Sequence, residues 1–163
     1  MPGDPATLVY MDGMTPSKLL KAVSKGHVIV ARYITMEVYF LFENKKYLPG
    51  DRMEITGDSE FKNDIVASVT IKINEETYGK NIIPELYLIE NGVKREVGLE
   101  KRDERTYMAD VVTNWHTIEW EWKRFEVLSK DYGFLGYVNP IFHGRKKSKL
   151  KTFGEAVQLW RGQ

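Results

Sequence analysis

From Ile65 to Ile73 the chain alternates strictly: Ile65, Ala67, Val69, Ile71 and Ile73 are apolar, with Val66, Ser68, Thr70 and Lys72 between them. Side chains on a β-strand point to opposite faces with a period of two, so this run predicts a strand with one face in a core and the other mostly in water. Similar patterns recur along the chain. Glu85–Glu90 and Val93–Val97 flank Asn91-Gly92, a dipeptide that tolerates the positive φ angles of a type I′ turn, which predicts a hairpin. Ile29, Val30, Ile34, Thr35, Val38, Tyr39 and Phe40 have high strand preference and predict one long strand from Val28 to Phe42, bent near Tyr33 to Thr35. Arg52 to Gly57, Thr106 to Thr113 and Phe134 to Phe142 read as further strands, with Gly133 and Gly136 as bend or bulge positions and Pro140 favouring an edge.

Between Trp115 and Leu128, the residues His116, Ile118, Trp120 and Trp122 alternate with Thr117, Glu119, Glu121 and Lys123. This predicts a half-buried strand with Trp120 and Trp122 in the core and Glu119, Glu121 and Lys123 on the solvated face. A short helix precedes the strands: Thr15 can cap it, Pro16 suits its first position, Leu19, Leu20 and Val23 form an apolar stripe to pack on something, and Gly26 can end it. Ala6 to Met11 reads as a strand or an ordered arm. A second short helix is predicted near the end, where Thr152 and Glu155 form a capping box and Phe153, Ala156, Val157 and Trp160 align at helical spacing. The expected organisation is therefore an arm and helix over 1–27, a strand-rich body over 28–142, and a basic linker with an amphipathic helix over 143–163. The fold class is mainly β, an antiparallel β-sandwich with short N-terminal and C-terminal helices, with a β-barrel as the alternative.

The segment Leu48-Pro49-Gly50-Asp51-Arg52-Met53-Glu54-Ile55-Thr56 resembles the opening strand of immunoglobulin-like modules in bacterial surface and phage structural proteins, and the strands up to Val127 follow in a compatible order. The resemblance covers roughly residues 47–128. It implies a sandwich of immunoglobulin-like or jelly-roll-like kind, whose members mostly bind, space or decorate. The cysteine pair of antibody domains is missing, since the chain has no cysteine.

With 163 residues, 42% of them hydrophobic, the chain suits one globular domain. The lack of cysteine excludes disulfides, thiolate nucleophiles, iron–sulfur clusters and cysteine zinc sites. His27, His116 and His143 have no metal-ligand spacing, and no phosphate-binding loop or Gly-x-Ser-x-Gly elbow occurs. Neither a metal nor a cofactor is expected. Glu119 and Glu121, two apart on a strand, are the least unlikely catalytic pair and would suit a glycoside hydrolase. Their simpler reading is a solvated strand face, so the chain is expected not to be an enzyme.

The 24 Lys and Arg nearly balance 23 Asp and Glu, but not evenly. Residues 143–163 hold six basic residues and one acid, leaving 18 basic and 22 acidic residues elsewhere. The basic run of Arg145, Lys146, Lys147, Lys149 and Lys151 can neutralise phosphates, which makes nucleic acid a candidate partner. Trp115, which shares its parity with Glu119, is the candidate ring for stacking on a sugar. Phe153, Val157 and Trp160 are the candidate anchors for docking on a protein. The leading expectation is a structural or adaptor protein acting by protein–protein contact or self-association in a larger assembly, viral ones included; the alternative is a polyanion or carbohydrate binding module. Met1 to Pro5 lack the features of a secretory signal, and Val28 to Phe42, with Arg32 and Glu37 inside it, is too short for a membrane helix. An intracellular or virion location without a membrane partner is the expectation.

Overall fold

A computed structural model describes residues 5–53, 64–77, 81–116 and 120–144. Its elements in chain order are β1 (Ala6–Val9), α1 (Pro16–Lys25), β2 (Val28–Ala31), β3 (Ile34–Phe42), β4 (Lys45–Tyr47), β5 (Arg52–Met53), β6 (Ile65–Ile73), a 3₁₀ turn (Glu75–Thr77), β7 (Glu85–Glu90), β8 (Val93–Val97), β9 (Glu100–Lys101), β10 (Thr106–Thr113), β11 (Trp120–Ser129), β12 (Gly133–Val138) and β13 (Ile141–Gly144). The expected C-terminal helix, its anchors Phe153, Val157 and Trp160, and the basic run from Arg145 to Lys151 lie outside the described residues, as does Glu119.

The strands form two sheets. In the eight-stranded sheet β11 is the centre: β7 pairs with one of its edges, followed by β8, while β12 and β13 share the other. Beyond β12 lie β2 and β1, and β5 runs parallel beside β13. The second sheet runs β4–β3–β6–β10–β9, antiparallel throughout. Neither sheet closes on itself, so the barrel alternative fails: the first stops at β1 and β8, the second at β4 and β9. The inward side chains of both sheets share one core. Phe40 of β3 stacks on Phe125 of β11 with ring centroids 5.9 Å apart. Gly136 of β12 sits so close to β3 that a Cβ there would lie 2.9 Å from Met36 Sδ.

The strand expected from Val28 to Phe42 is two strands in different sheets. Arg32 and Tyr33 carry the chain from β2 to β3; Tyr33 has φ 63° and Arg32 N–H donates to the Leu135 carbonyl at 2.6 Å. The core face of β6 is as expected, with Ile65, Ala67, Val69, Ile71 and Ile73 all buried, but the opposite face is not mostly in water: Ser68 is buried, Val66 and Thr70 are half-buried, and only Lys72 is exposed. Asn91 and Gly92 have φ of 50° and 93°, the left-handed pair that a type I′ hairpin requires.

Helix α1 also starts and stops as its sequence predicts: Thr15 Oγ1 accepts from Lys18 N–H, Pro16 opens the helix, and Gly26 ends it at φ 78°. A knot of loops then fixes its C-terminus. Asn139 Nδ2 donates to the Gly26 carbonyl at 2.9 Å, Gly50 N–H donates to the Pro140 carbonyl at 3.1 Å, and His27 Nε2 meets Asp51 Oδ1 at 2.9 Å. Gly50 (φ +92°) presses on this end so closely that a Cβ would fall 2.4 Å from the Lys25 carbonyl oxygen. Gly50→Ala is therefore expected to cost at least about 2 kcal/mol, from left-handed strain plus a backbone clash. Gly92→Ala, at a similar φ of +93° but with nothing within 4 Å, should cost only about 1 kcal/mol. Urea unfolding of the two variants checks the difference.

Candidate functional site

The parity of β11 is opposite to the sequence expectation. Glu121, Lys123, Phe125, Val127 and Ser129 point inward and are buried, whereas Trp120, Trp122, Arg124, Glu126 and Leu128 lie on the outer face and are part-exposed. The reason lies at the far end of the strand. Phe125 and Val127, both fully buried, belong to the core, and a period of two then carries Lys123 and Glu121 to the same side.

Two charged groups inside a core must be compensated. Lys123, with no exposed surface, donates to Glu90 Oε1 at 2.6 Å from the register-paired position on β7. Thr113, at the end of β10, donates to the same oxygen, and Arg95 Nε reaches Glu90 Oε2 at 3.2 Å. Glu121 accepts the His116 backbone N–H at 2.8 Å. Opposite it on β13, His143 is buried with Nδ1 3.3 Å from the Met53 carbonyl. A carbonyl only accepts, so that nitrogen carries the proton.

Trp115 completes this cluster. Beyond β10 the chain turns inward, so its ring is 2% exposed, packs against His143 at 5.4 Å between centroids and lies 5.1 Å from Lys123 Nζ. The expected stacking face for sugar is closed. Among the described residues Trp115 Nε1 and His143 Nε2 meet no hydrogen-bond partner, and no group of three or more His, Asp or Glu could hold a metal ion. Glu121, one half of the candidate glycosidase pair, is committed to the interior. Among the described residues the cluster is mostly buried and links β7, β10, β11 and β13 through its hydrogen bonds and charges.

Surface features are of two kinds. Helix α1 buries only Ala22, leaving its apolar stripe outside: Leu20 is 70% exposed, Val23 49% and Leu19 42%, with Met14 just before the helix at 95%. The expected packing of that stripe on the body is not what forms, because Ala22 is the residue turned inward. Lys18, Lys21 and Lys25 line a groove of about 190 Å³ between the helix and Tyr10, Met11, Asp12 and His27. The second feature is aromatic. On the outer face of the eight-stranded sheet Trp120 stacks on Phe142 with centroids 6.3 Å apart, and the Arg124 guanidinium lies between Trp122 at 5.9 Å and Tyr137 at 5.6 Å. Phe134 continues the row beside Tyr137 at 5.9 Å. Sequence reasoning missed both the interior ion pair and this row through one parity error; Phe125 and Val127 were the signal that could have found them. Among the described residues no helix is long and apolar enough to cross a membrane.

Burial pushes the Glu90 carboxyl up, but hydrogen bonds from Lys123 and Thr113, the Lys123 charge and Arg95 outweigh it and hold the group at about 2 against an ordinary 4.5. A carboxyl depressed in the folded state stabilises the fold above its unfolded value, and that contribution disappears as pH falls from about 4.5 towards 2. Acid unfolding of Glu90→Gln should accordingly be flatter across this window than that of the parent. Lys123→Ala, which leaves Glu90 with Thr113 and Arg95 alone, is expected to cost about 3 kcal/mol, while Lys123→Met combined with Glu90→Leu should recover most of the loss; urea titrations at neutral pH measure both. No family model, curated protein or solved structure matches the chain.

Proposed function

We propose that the chain is a non-enzymatic structural or adaptor protein, a β-sandwich of immunoglobulin-like kind that acts by protein–protein contact within a larger assembly. The observation that carries this reading is the apolar stripe on α1. Of the eight large hydrophobic side chains exposed among the described residues, Met14, Leu19, Leu20 and Val23 sit together on this one helix and its lead-in. Covering the half-exposed Leu19 and Val23 would contribute about 1 kcal/mol each and the more exposed Leu20 and Met14 about 1.5–3, and a contiguous exposed patch of this kind marks a contact surface. The amphipathic segment bearing Phe153, Val157 and Trp160 supplies a second docking element by its sequence.

Light scattering over a range of protein concentrations tests this reading. The expected result is a stable multiple of 18.9 kDa that falls when Leu20→Lys and Val23→Lys are introduced together or residues 145–163 are removed. A strict monomer at every concentration, or a particle unchanged by both alterations, would overturn it.

A further inference from the structure

We infer that β1 is a self-pairing edge, along which two copies of the chain join antiparallel and merge their eight-stranded sheets into one. β1 pairs with β2 on one side, and among the described residues no strand pairs with its other side. Tyr10 N–H donates to the His27 carbonyl at 2.9 Å, directly beyond the Val9–Val28 pair. Backbone groups alternate between the two sides of a strand, so Leu8 and Ala6 also turn theirs towards β2, while Thr7 and Val9 turn N–H and C=O to the open side. This open run has definite ends. Pro5 has no N–H to give, and the Met11 carbonyl already accepts from Gly13 N–H at 3.2 Å. Thr7 is exposed, and the groove beside α1 takes only Tyr10, Met11 and Asp12 from this segment, all past the end of the strand.

The composition of β1 decides what can lie against it. An open edge is a template for another strand, and proteins ordinarily guard it with charge, above all lysine. The other strands at the sheet borders are guarded in that way: β4 by Lys45 and Lys46, β5 by Arg52, β8 by Lys94, Arg95 and Glu96, and β9 by Glu100 and Lys101. From Pro5 to Met11 there is no charge at all. A second copy is the occupant that fits such an edge. Two-fold symmetry offers it the same free groups running the other way, and an uncharged strand opposes no like charge when it meets itself. The register that uses every open group places Leu8 against Leu8 at the two-fold axis, with Thr7 of each copy opposite Val9 of the other. Both of those pairs exchange N–H···O bonds in each direction. The leucines then form the closer, non-hydrogen-bonded pair, about 4.5 Å apart at Cα, and Leu8 already packs against the core. This surface is separate from the apolar stripe of α1, so the pairing goes beyond the contact proposed there.

The test follows mass by light scattering and amide exchange residue by residue, on the full chain from about 1 μM to about 1 mM, a range that suits a small interface. The expected mass rises about twofold with concentration. Over the same range exchange at the Thr7 and Val9 amides should slow at least about tenfold, while Leu8 and Tyr10, already bonded to the β2 side, stay unchanged. A contact through α1 produces no such alternation. Thr7→Pro removes an outward N–H that an edge strand can spare, and should abolish the rise in mass and leave the Val9 amide fast. Thr7→Val should pair as the parent does, and Leu20→Lys with Val23→Lys should leave both the rise and the alternation in place. Circular dichroism shows whether each variant is folded, and the exchange pattern of the parent decides the matter should Thr7→Pro fail to fold. Three results would each overturn the inference: Thr7 and Val9 amides that stay fast at about 1 mM, slowing that is equal at Leu8 and Tyr10, and a rise in mass that persists in folded Thr7→Pro. A rise that persists there but disappears with Leu20→Lys and Val23→Lys leaves the α1 contact standing without this one.

Discussion

The structure depends on the placement of β11. Three strands take their register from it, β7 along one edge and β12 and β13 along the other, and its inward face supplies Phe125 and Val127 to the core shared with β3. Anchoring those two side chains leaves no freedom for the rest of the strand. Lys123 and Glu121 must enter the interior and Trp120 and Trp122 must leave it, since slipping by one residue would exchange every side chain at once. The Lys123–Glu90 pair compensates for this constraint: it lets the strand keep its parity without an unpaired charge in the core. Thr113 on β10, in the opposite sheet, donates to the same carboxylate, so one oxygen of Glu90 joins the two layers.

A second constraint operates at the other end of the molecule. The chain enters one sheet as β2 and leaves it after Ala31 to start the other as β3, and the short passage through Arg32 and Tyr33 forces a left-handed residue. With β2 tied to β12 and β3 tied to β6, the two sheets are linked covalently at one corner. Helix α1 is inserted between β1 and β2 and is held chiefly at its C-terminal end: Gly26 and Gly50 in backbone contact, Asn139 on the Gly26 carbonyl, and His27 on Asp51. Being secured at its C-terminal end, the helix does not need its apolar stripe for attachment, which is consistent with Leu20 and Val23 staying outside.

Local chemistry was legible in the sequence. Thr15, Pro16 and Gly26 delimit α1, Asn91-Gly92 turns the hairpin, and the alternation of Ile65 to Ile73 fixes which face of β6 is core, because each depends on neighbouring residues alone. What escaped reading depends on distant partners. Val28 to Phe42 has uniform strand preference, so nothing local marks the change of sheet. In β11 the indole rings of Trp120 and Trp122 outweighed Lys123 on any hydrophobicity scale, but Glu90, far away along the chain on β7, makes Lys123 admissible inside. Burial of Trp115 likewise follows from His143 and Lys123, neither of which is its neighbour in sequence.

The same parity that buries the charges also shapes the exterior. Had Trp120 and Trp122 filled the core, the outer face of β11 would carry Glu121 and Lys123 and offer only a solvated surface. With the order reversed, the sheet presents rings that bracket a guanidinium, on strands whose register the core already holds rigid. Part-exposed aromatic side chains on a fixed sheet lose little conformational freedom on meeting a partner, so most of the area they cover is available for binding. The interior ion pair and the exterior ring strip are thus one structural decision, taken at Phe125 and Val127 and transmitted along a single strand.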